Sequence, residues 1–206
     1  MKFIIGTKAG MTQVFDEKGV CYAATILKVE AAKISQVKTN ETDGYAAIQI
    51  ASGAQKERRT AKAQMGHFGQ GVAMAREFRP RTGTTETTEG MQKDAAFDAS
   101  VFTPGDTIMV SSISKGKGFQ GVVKRHGFRG GSRTHGQKHS EREPGSIGQT
   151  GLMRVAKGTR MAGRMGSDLI TVKNLKVLQV NPEQNLLLVS GAVPGRKGTL
   201  VEVRGI

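Results

Sequence analysis

Tryptophan is absent from these 206 residues, tyrosine occurs twice and phenylalanine eight times. A core so poor in rings must be built from Val, Ile, Leu and Ala. Cysteine occurs once, as Cys21 in an apolar run. That excludes an internal disulfide and a cysteine-based zinc cluster, and it fits a reducing, intracellular setting. No apolar run approaches the roughly 20 residues that a membrane helix needs. No basic amphipathic helix suited to an anionic membrane surface is visible either, so no membrane partner is expected. Phe3-Ile4-Ile5, before Gly6 and Lys8, is too short for the apolar segment of a secretory signal.

Acid is scarce where base is plentiful. The formal net charge is +14. The fifty residues from Lys115 to Arg164 contribute +10 of it, through Lys115, Lys117, Lys124, Arg125, Arg129, Arg133, Lys138, Arg142, Arg154, Lys157, Arg160 and Arg164 against only Glu141 and Glu143. The other 156 residues are nearly balanced, 19 basic against 15 acidic, which reads as an ordinary folded body with one very basic excursion. The same fifty residues hold twelve glycines and few, unperiodic large apolar side chains. Such a stretch cannot bury a face of its own, and its composition predicts a segment unfolded in isolation and ordered by a polyanion. A solvated surface explains it poorly, because this much like charge repels itself in any compact isolated state.

Nucleic acid is the obvious polyanion, since each neutralised phosphate releases a counterion. Seven Arg against five Lys suits shaped RNA, because a guanidinium forks two hydrogen bonds onto one phosphate or stacks on a base. Phe119 and Phe128 are too few for a general single-strand stacking platform. Folded RNA read by shape and backbone is therefore expected, with His126, His135 and His139 joining the twelve cations as polar contacts or stacking groups.

Around this stretch the sequence reads mainly as strands. Lys2–Ile5 and Thr12–Phe15 flank a Gly6–Gly10 turn region, and Asp16–Gly19 makes the next turn. Val20–Val29, Lys33–Thr39 and Tyr45–Ile50 follow as strands, with Asp43-Gly44 as a hairpin turn. Met65, Phe68, Val72, Ala75 and Phe78 recur at helical spacing, interrupted by Gly66, Gly69 and Gly71, which predicts two short helices. Arg81–Gly90 is Thr-rich and reads as a loop; Pro104-Gly105-Asp106 leads into a strand over Thr107–Val110. After the basic stretch come strands at 168–172, 175–180, 186–190 and 199–203. The fold class expected is mainly β with a small α insert: a small barrel body carrying a long extended basic loop. Residues 1–55 and 166–206, with 100–114, form the barrel, 56–99 a helical and loop insert, and 115–165 the RNA-binding loop.

Enzyme chemistry finds little support. Gly116-Lys117-Gly118-Phe119-Gln120-Gly121 matches a dinucleotide fingerprint, but that fold needs a helix directly after it, and the residues beyond run into more glycines. Glycine there serves close backbone approach to phosphates. The three histidines lack the further ligand and fixed scaffold that a metal needs. Glu141 and Glu143 are separated by Arg142 with no apolar pocket to raise a carboxyl pKa. No nucleophile elbow is present, and Cys21 has no partnered histidine. His67 reads as a surface or packing residue. Neither cofactor nor metal is expected.

Several segments together resemble the universal large-subunit ribosomal protein L-three family in its bacterial form. The central one is Gly118-Phe119-Gln120-Gly121-Val122-Val123-Lys124-Arg125-His126-Gly127-Phe128, followed by Gly145-Ser146-Ile147-Gly148-Gln149. Ile5-Gly6-Thr7-Lys8-Ala9-Gly10-Met11-Thr12, Ala162-Gly163-Arg164-Met165-Gly166 and Gly191-Ala192-Val193-Pro194-Gly195 agree with it, so the resemblance spans essentially the whole chain. It implies a translation-factor-like β-barrel on the ribosome surface and an extension threading through large-subunit rRNA toward the peptidyl transferase centre. It implies early action in subunit assembly in the cytoplasm, with large-subunit proteins fourteen and nineteen as neighbours. In some bacterial members the glutamine at the position of Gln149 becomes N5-methylglutamine, which requires a glutamine methyltransferase. The lack of a transit-type extension favours a bacterial chain. A free RNA-binding or RNA-chaperone protein with a barrel and a basic arm shares every composition signal. A barrel-type flavin or nucleotide enzyme, resting on the Gly116–Gly121 match, is the third alternative.

Overall fold

The computed structural model describes residues 2–80 and 91–206. The Thr-rich loop expected over Arg81–Gly90 lies outside the described residues. In chain order the elements are β1 (Phe3–Phe15), β2 (Cys21–Lys28), β3 (Ala32–Lys38), α1 (Asn40–Asp43), β4 (Ala47–Ala54), α2 (Lys62–Phe68), β5 (Val72–Phe78), β6 (Ala96–Phe97) and β7 (Thr107–Ile113). They continue with β8 (Phe119–Gln120), α3 (Val122–His126), β9 (Gly163–Arg164), β10 (Leu169–Asn181), β11 (Leu186–Ser190) and β12 (Leu200–Gly205). The chain divides into two compact units, residues 1–113 with 169–206, and residues 114–168.

The first unit is mainly β, as the sequence predicts. Six strands hydrogen-bond in a closed antiparallel ring, in the order β1-β12-β7-β10-β11-β2 and back to β1. The first and last strands of the chain are thus partners, Ile4 lying opposite Val203. The barrel interior is aliphatic: Ile4, Leu27, Val29, Ile108, Val110, Leu187, Val189, Val201 and Val203 cluster there, with Phe102 as its one ring. This is the Val/Ile/Leu core that the shortage of aromatics demands.

The start of β1, Phe3 to Gly6, is buried on both faces, and strand alternation assigns the faces. Ile4 points into the barrel cluster, while Phe3 and Ile5 join Ile34, Ile48, Ile50 and Phe78 in a second cluster. That second cluster is covered by a four-stranded sheet of order β5-β4-β3-β6. Phe3 stacks on Phe78 with ring centroids 4.5 Å apart and meets Phe97 at 5.5 Å. Two polar ties join this sheet to the barrel: Arg76 to Glu202 at 2.9 Å, and the Arg204 guanidinium donating to the Arg79 carbonyl at 2.7 Å.

Several local expectations need correction. β3 and β4 belong to this separate sheet rather than to the barrel expected over residues 1–55. The second of the two helices expected over 56–79 is the strand β5, paired with β4. Val72, Ala75 and Phe78 are spaced by three, as on a helix, but pairing with β4 overrides that local period, and Met74 and Phe78, on one face of the strand, meet the second cluster. Gly6–Gly10 is no turn; the chain runs through it as one strand, with an irregular register between Lys8 and Gly10. Gly6 is there for space, since a Cβ would stand 2.6 Å from the Lys28 carbonyl oxygen. Asn40–Gly44 is a helical turn ended by Gly44 in the left-handed region, φ 76°, rather than a two-residue hairpin turn. The strands expected at 168–172 and 175–180 are one strand, β10, with an irregularity at Asn174, φ 58°.

Candidate nucleic-acid interface

Residues 114–168 connect β7 to β10 and carry the basic charge. At their base two legs of chain run side by side. Ser114 N–H donates to the Asp168 carbonyl at 2.9 Å, Lys117 N–H to Met165 at 3.0 Å, and Met165 N–H to Gly118 at 3.0 Å. The ladder continues as β8 against β9, Phe119 opposite Arg164 and Gln120 opposite Gly163. Glycine is required on this stem. At Gly166, φ 77°, a Cβ would lie 2.2 Å from the Lys115 carbonyl oxygen. Lys115 and Lys117 thus sit on one leg and Arg164 on the other.

The helix α3 follows at once, where the sequence reading of the Gly116–Gly121 pattern expects none. It is one turn long. Gly127, φ 72°, ends it, with its N–H donating to Val123. The long crossover helix of a dinucleotide fold is not formed. Val122 is the one buried residue of the whole 114–168 unit. Lys124, Arg125 and His126 fall in the last turn, where cations complement the helix dipole. Arg125 Nη1 donates to the Met161 carbonyl at 2.7 Å, and His126 Nε2 lies 3.1 Å from the same oxygen. Only a protonated Nε2 can bond to a carbonyl, which fixes the ring's donor. The Arg125 guanidinium lies over Gly163, where a Cβ would be 2.6 Å from Nη1. The sequence predicts Arg125 and His126 as RNA contacts; in this structure both are half-buried and tie the returning chain at Met161. The Gly in Ala162-Gly163-Arg164 is the sequence signal for that close packing.

Beyond α3 the chain folds back on itself. Gly131 N–H donates to the Glu141 carbonyl at 2.9 Å, and Gly130, φ 76°, is so close that a Cβ would stand 2.1 Å from that oxygen. Arg133 Nε reaches the Glu141 carboxylate at 2.6 Å. Arg129, Arg133, His135, Lys138 and His139 are exposed on this fold-back. From Arg142 to Gly158 every residue is exposed, including Arg142, Gln149, Arg154 and Lys157, as is Arg160 just beyond. Ile147, Leu152, Met153 and Val155 are exposed with them, Met153 completely.

Of the twelve Lys and Arg side chains, eleven are exposed and Arg125 is half-buried. Arg133–Glu141 is the single ion pair among them in the described residues. A densely cationic surface with only two carboxylates to offset it can bind phosphates at many points. Its glycines let backbone approach a ligand closely. The three histidines are not gathered at one point: among the described residues no group of His, Cys, Asp or Glu is placed to hold a metal. No helix of the described residues is long and apolar enough to cross a membrane.

Comparison with known proteins gives the family context. The family described as Ribosomal protein L3 matches residues 77–185. Large ribosomal subunit protein uL3 of Vibrio parahaemolyticus is 48% identical over 206 residues, covering 98% of this chain and 96% of that protein. Its counterpart in Chloroherpeton thalassium is 47% identical over 208 residues and covers 98% of both chains. That of Thioalkalivibrio sulfidiphilus is 45% identical over 208 residues, covering 98% and 95%.

Proposed function

The chain belongs to the ribosomal protein L3 family, and from that premise we propose that it is a structural constituent of the large ribosomal subunit that binds large-subunit rRNA directly through residues 115–164. The observation carrying this reading is the concentration of +10 on an extension whose cations are exposed and all but unpaired. The closed barrel and its attached sheet serve as the rigid body. Lys115, Lys117, Lys124, Arg129, Arg133, Lys138, Arg142, Arg154, Lys157, Arg160 and Arg164 neutralise phosphates, with His135 and His139 as polar or stacking contacts. Arg125 and His126 shape the extension by holding Met161. Binding free energy comes largely from counterion release, and the extension orders against RNA where its own contacts are few.

The finer assignments rest on the family. The protein acts early in subunit assembly in the cytoplasm, and its extension reaches toward the peptidyl transferase centre without supplying a catalytic group. Proteins fourteen and nineteen of the subunit are its neighbours. Gln149 is the methylation position: it lies in the fully exposed run, so a glutamine methyltransferase could reach its side-chain amide.

A salt titration tests the core of this reading. Large-subunit rRNA and an unrelated folded RNA of equal length are bound by the native chain and by a full-length variant with Lys138, Arg142, Arg154, Lys157 and Arg160 changed to Gln. The native chain is expected to prefer the rRNA at all salt concentrations. The variant should bind it with a log–log salt slope shallower by up to about 4.5, near 0.9 for each of five lost phosphate contacts. An unchanged slope would remove the extension from the interface. Equal affinity for both RNAs would move the protein to a free RNA-chaperone role.

A further inference from the structure

The charge of this chain is concentrated at a second place as well. Lys56-Glu57-Arg58-Arg59-Thr60-Ala61-Lys62 carries four cations and one acid. Its +3 accounts for most of the +4 left outside the extension. The segment joins β4 to α2 on the four-stranded sheet, and Lys56, Arg58, Arg59 and Lys62 are all exposed. Lys2, Lys28, Lys38 and Arg76 of that unit are paired with acids. Cations such as Lys18, Lys33 and Lys197 have no acid partner among the described residues, but they stand without the clustering that gathers four within seven residues here. In the turn, the four cationic heads have no ion-pair or hydrogen-bond partner among the described residues, Glu57 included.

The backbone beneath these heads is braced. Residues 57–59 form a 3₁₀ turn, with Arg59 N–H donating to Lys56 at 2.9 Å and Thr60 N–H to Glu57 at 2.9 Å. The Gln55 side-chain amide donates to the Arg59 carbonyl at 3.0 Å. Gln55 N–H donates to Gly71 at 3.0 Å, and at Gly71 a Cβ would meet the Gln55 carbonyl oxygen at 2.1 Å, so the turn is clasped at its root. Polar backbone groups are spent inside the turn while the long cationic side chains are left to solvent. Local stability does not explain the charge, since like charges this close repel, and Lys62, opening α2, opposes the helix dipole.

We propose that the Lys56–Lys62 turn is a second RNA-backbone clamp, separate in sequence from the extension, binding duplex phosphates by charge rather than reading bases. The turn holds no aromatic ring to stack on a base and no large apolar side chain to enter a lipid surface. Arg58 and Arg59 supply the forked donors suited to phosphate, and Lys56 and Lys62 add point charges on either side. The inference rests on the proposed rRNA-binding role and adds a distinct contact region to it.

The experiment uses the full chain and large-subunit rRNA over a salt series. One variant carries K56A, R58A, R59A and K62A. A control neutralises four other exposed lysines of the same unit, Lys18, Lys173, Lys176 and Lys197. The turn variant is expected to bind at least about tenfold more weakly at low salt, with a slope shallower by about 3.6 for four lost phosphate contacts; the control should stay within about twofold. An R58K/R59K variant, which keeps the charge, should retain most of the affinity, and all variants should keep the native circular dichroism and melting temperature. Native-like binding by the turn variant, or an equal loss in the control, overturns the clamp. The extension variant described above runs in parallel. If it weakens binding and the turn variant does not, only the clamp fails; if the turn variant alone weakens binding, only the extension reading fails.

Discussion

In β1, Phe3, Ile4 and Ile5 are each completely buried, whereas from Arg142 to Gly158 every residue is exposed. One region satisfies its backbone through a ring of strands and its side chains through two cores. The other leaves apolar and charged groups alike in solvent, with glycine at several of its bends. The body therefore carries its own folding free energy, and the extension carries its free energy in an unmade interface. A buried aliphatic side chain contributes about 1.5–3 kcal/mol to the first kind of account. An exposed one contributes nothing to it until a partner covers it.

Substitution of one large apolar residue on each side breaks this contrast most directly. Phe3→Ala removes a ring stacked on Phe78 and tilted against Phe97 and should cost about 3–5 kcal/mol, read as a large fall in the denaturation midpoint. Met153→Ala, at a fully exposed position, should leave that midpoint within about 0.5 kcal/mol. A comparable loss at Met153 would mean that the extension packs as a core does.

The contrast sharpens further at glycines of β1. Gly6 faces the Lys28 carbonyl, where a Cβ would intrude to 2.6 Å, while at Gly10 a Cβ meets nothing within 4 Å. Neither is a matter of positive φ. Gly6→Ala forces two paired strands apart at the barrel wall and should cost about 1–3 kcal/mol; Gly10→Ala should be near neutral. Equal effects from the two in urea unfolding would show that space is not what Gly6 supplies.

These same residues show where sequence reasoning succeeded and where it stopped. The basic extension was legible because charge and glycine content are local properties, and the barrel was legible because Val and Ile runs alternate or bury at strand spacing. The separate sheet was not legible. Its residues look like those of the barrel, and only long-range pairing, such as Ile48 opposite Phe78, decides which sheet a strand joins. The helix misread over 72–78 rested on Val72, Ala75 and Phe78, three residues apart, a helical spacing that long-range pairing with β4 overrides. The tie of α3 to Met161 ends on a backbone carbonyl, so only Gly163, which leaves room for Arg125, hints at it in the sequence. The Lys56–Lys62 turn was in plain view as sequence, but four cations matter only once the structure leaves them exposed and unpaired.

Acid should weaken the body in a predictable direction. The Lys38 ammonium, 2.8 Å away, holds the Glu77 carboxyl below its usual range, and the Tyr45 hydroxyl adds a further bond at 2.9 Å. Lys2 and the Thr103 N–H do the same for Asp106, and the Ser100 hydroxyl and N–H for Asp98. A carboxyl with a lowered folded-state pKa gives stability that is fully present above its ordinary value, about 4, and lost as pH falls through the folded value. Glu77→Gln should therefore lower stability at neutral pH and lose that deficit as pH drops below about 4. A deficit constant with pH would assign the loss to shape rather than charge.

The smallest effect expected concerns the one ion pair of the extension. Arg133 and Glu141 meet at 2.6 Å, but their side chains are 81% and 45% exposed, and such a pair contributes about 0–1 kcal/mol at most. The local fold-back relies instead on the Glu141 carbonyl, which receives Gly131 N–H and survives a side-chain change. Glu141→Gln should leave stability unaltered. It also removes one of only two acids in a +10 segment and releases Arg133 toward RNA, so rRNA affinity should rise by about two- to fivefold and the salt slope steepen by about one contact. The opposite outcome, weaker binding with unchanged stability, would mean that Glu141 earns its place by aiming Arg133 at a phosphate, and that the extension is ordered before RNA arrives.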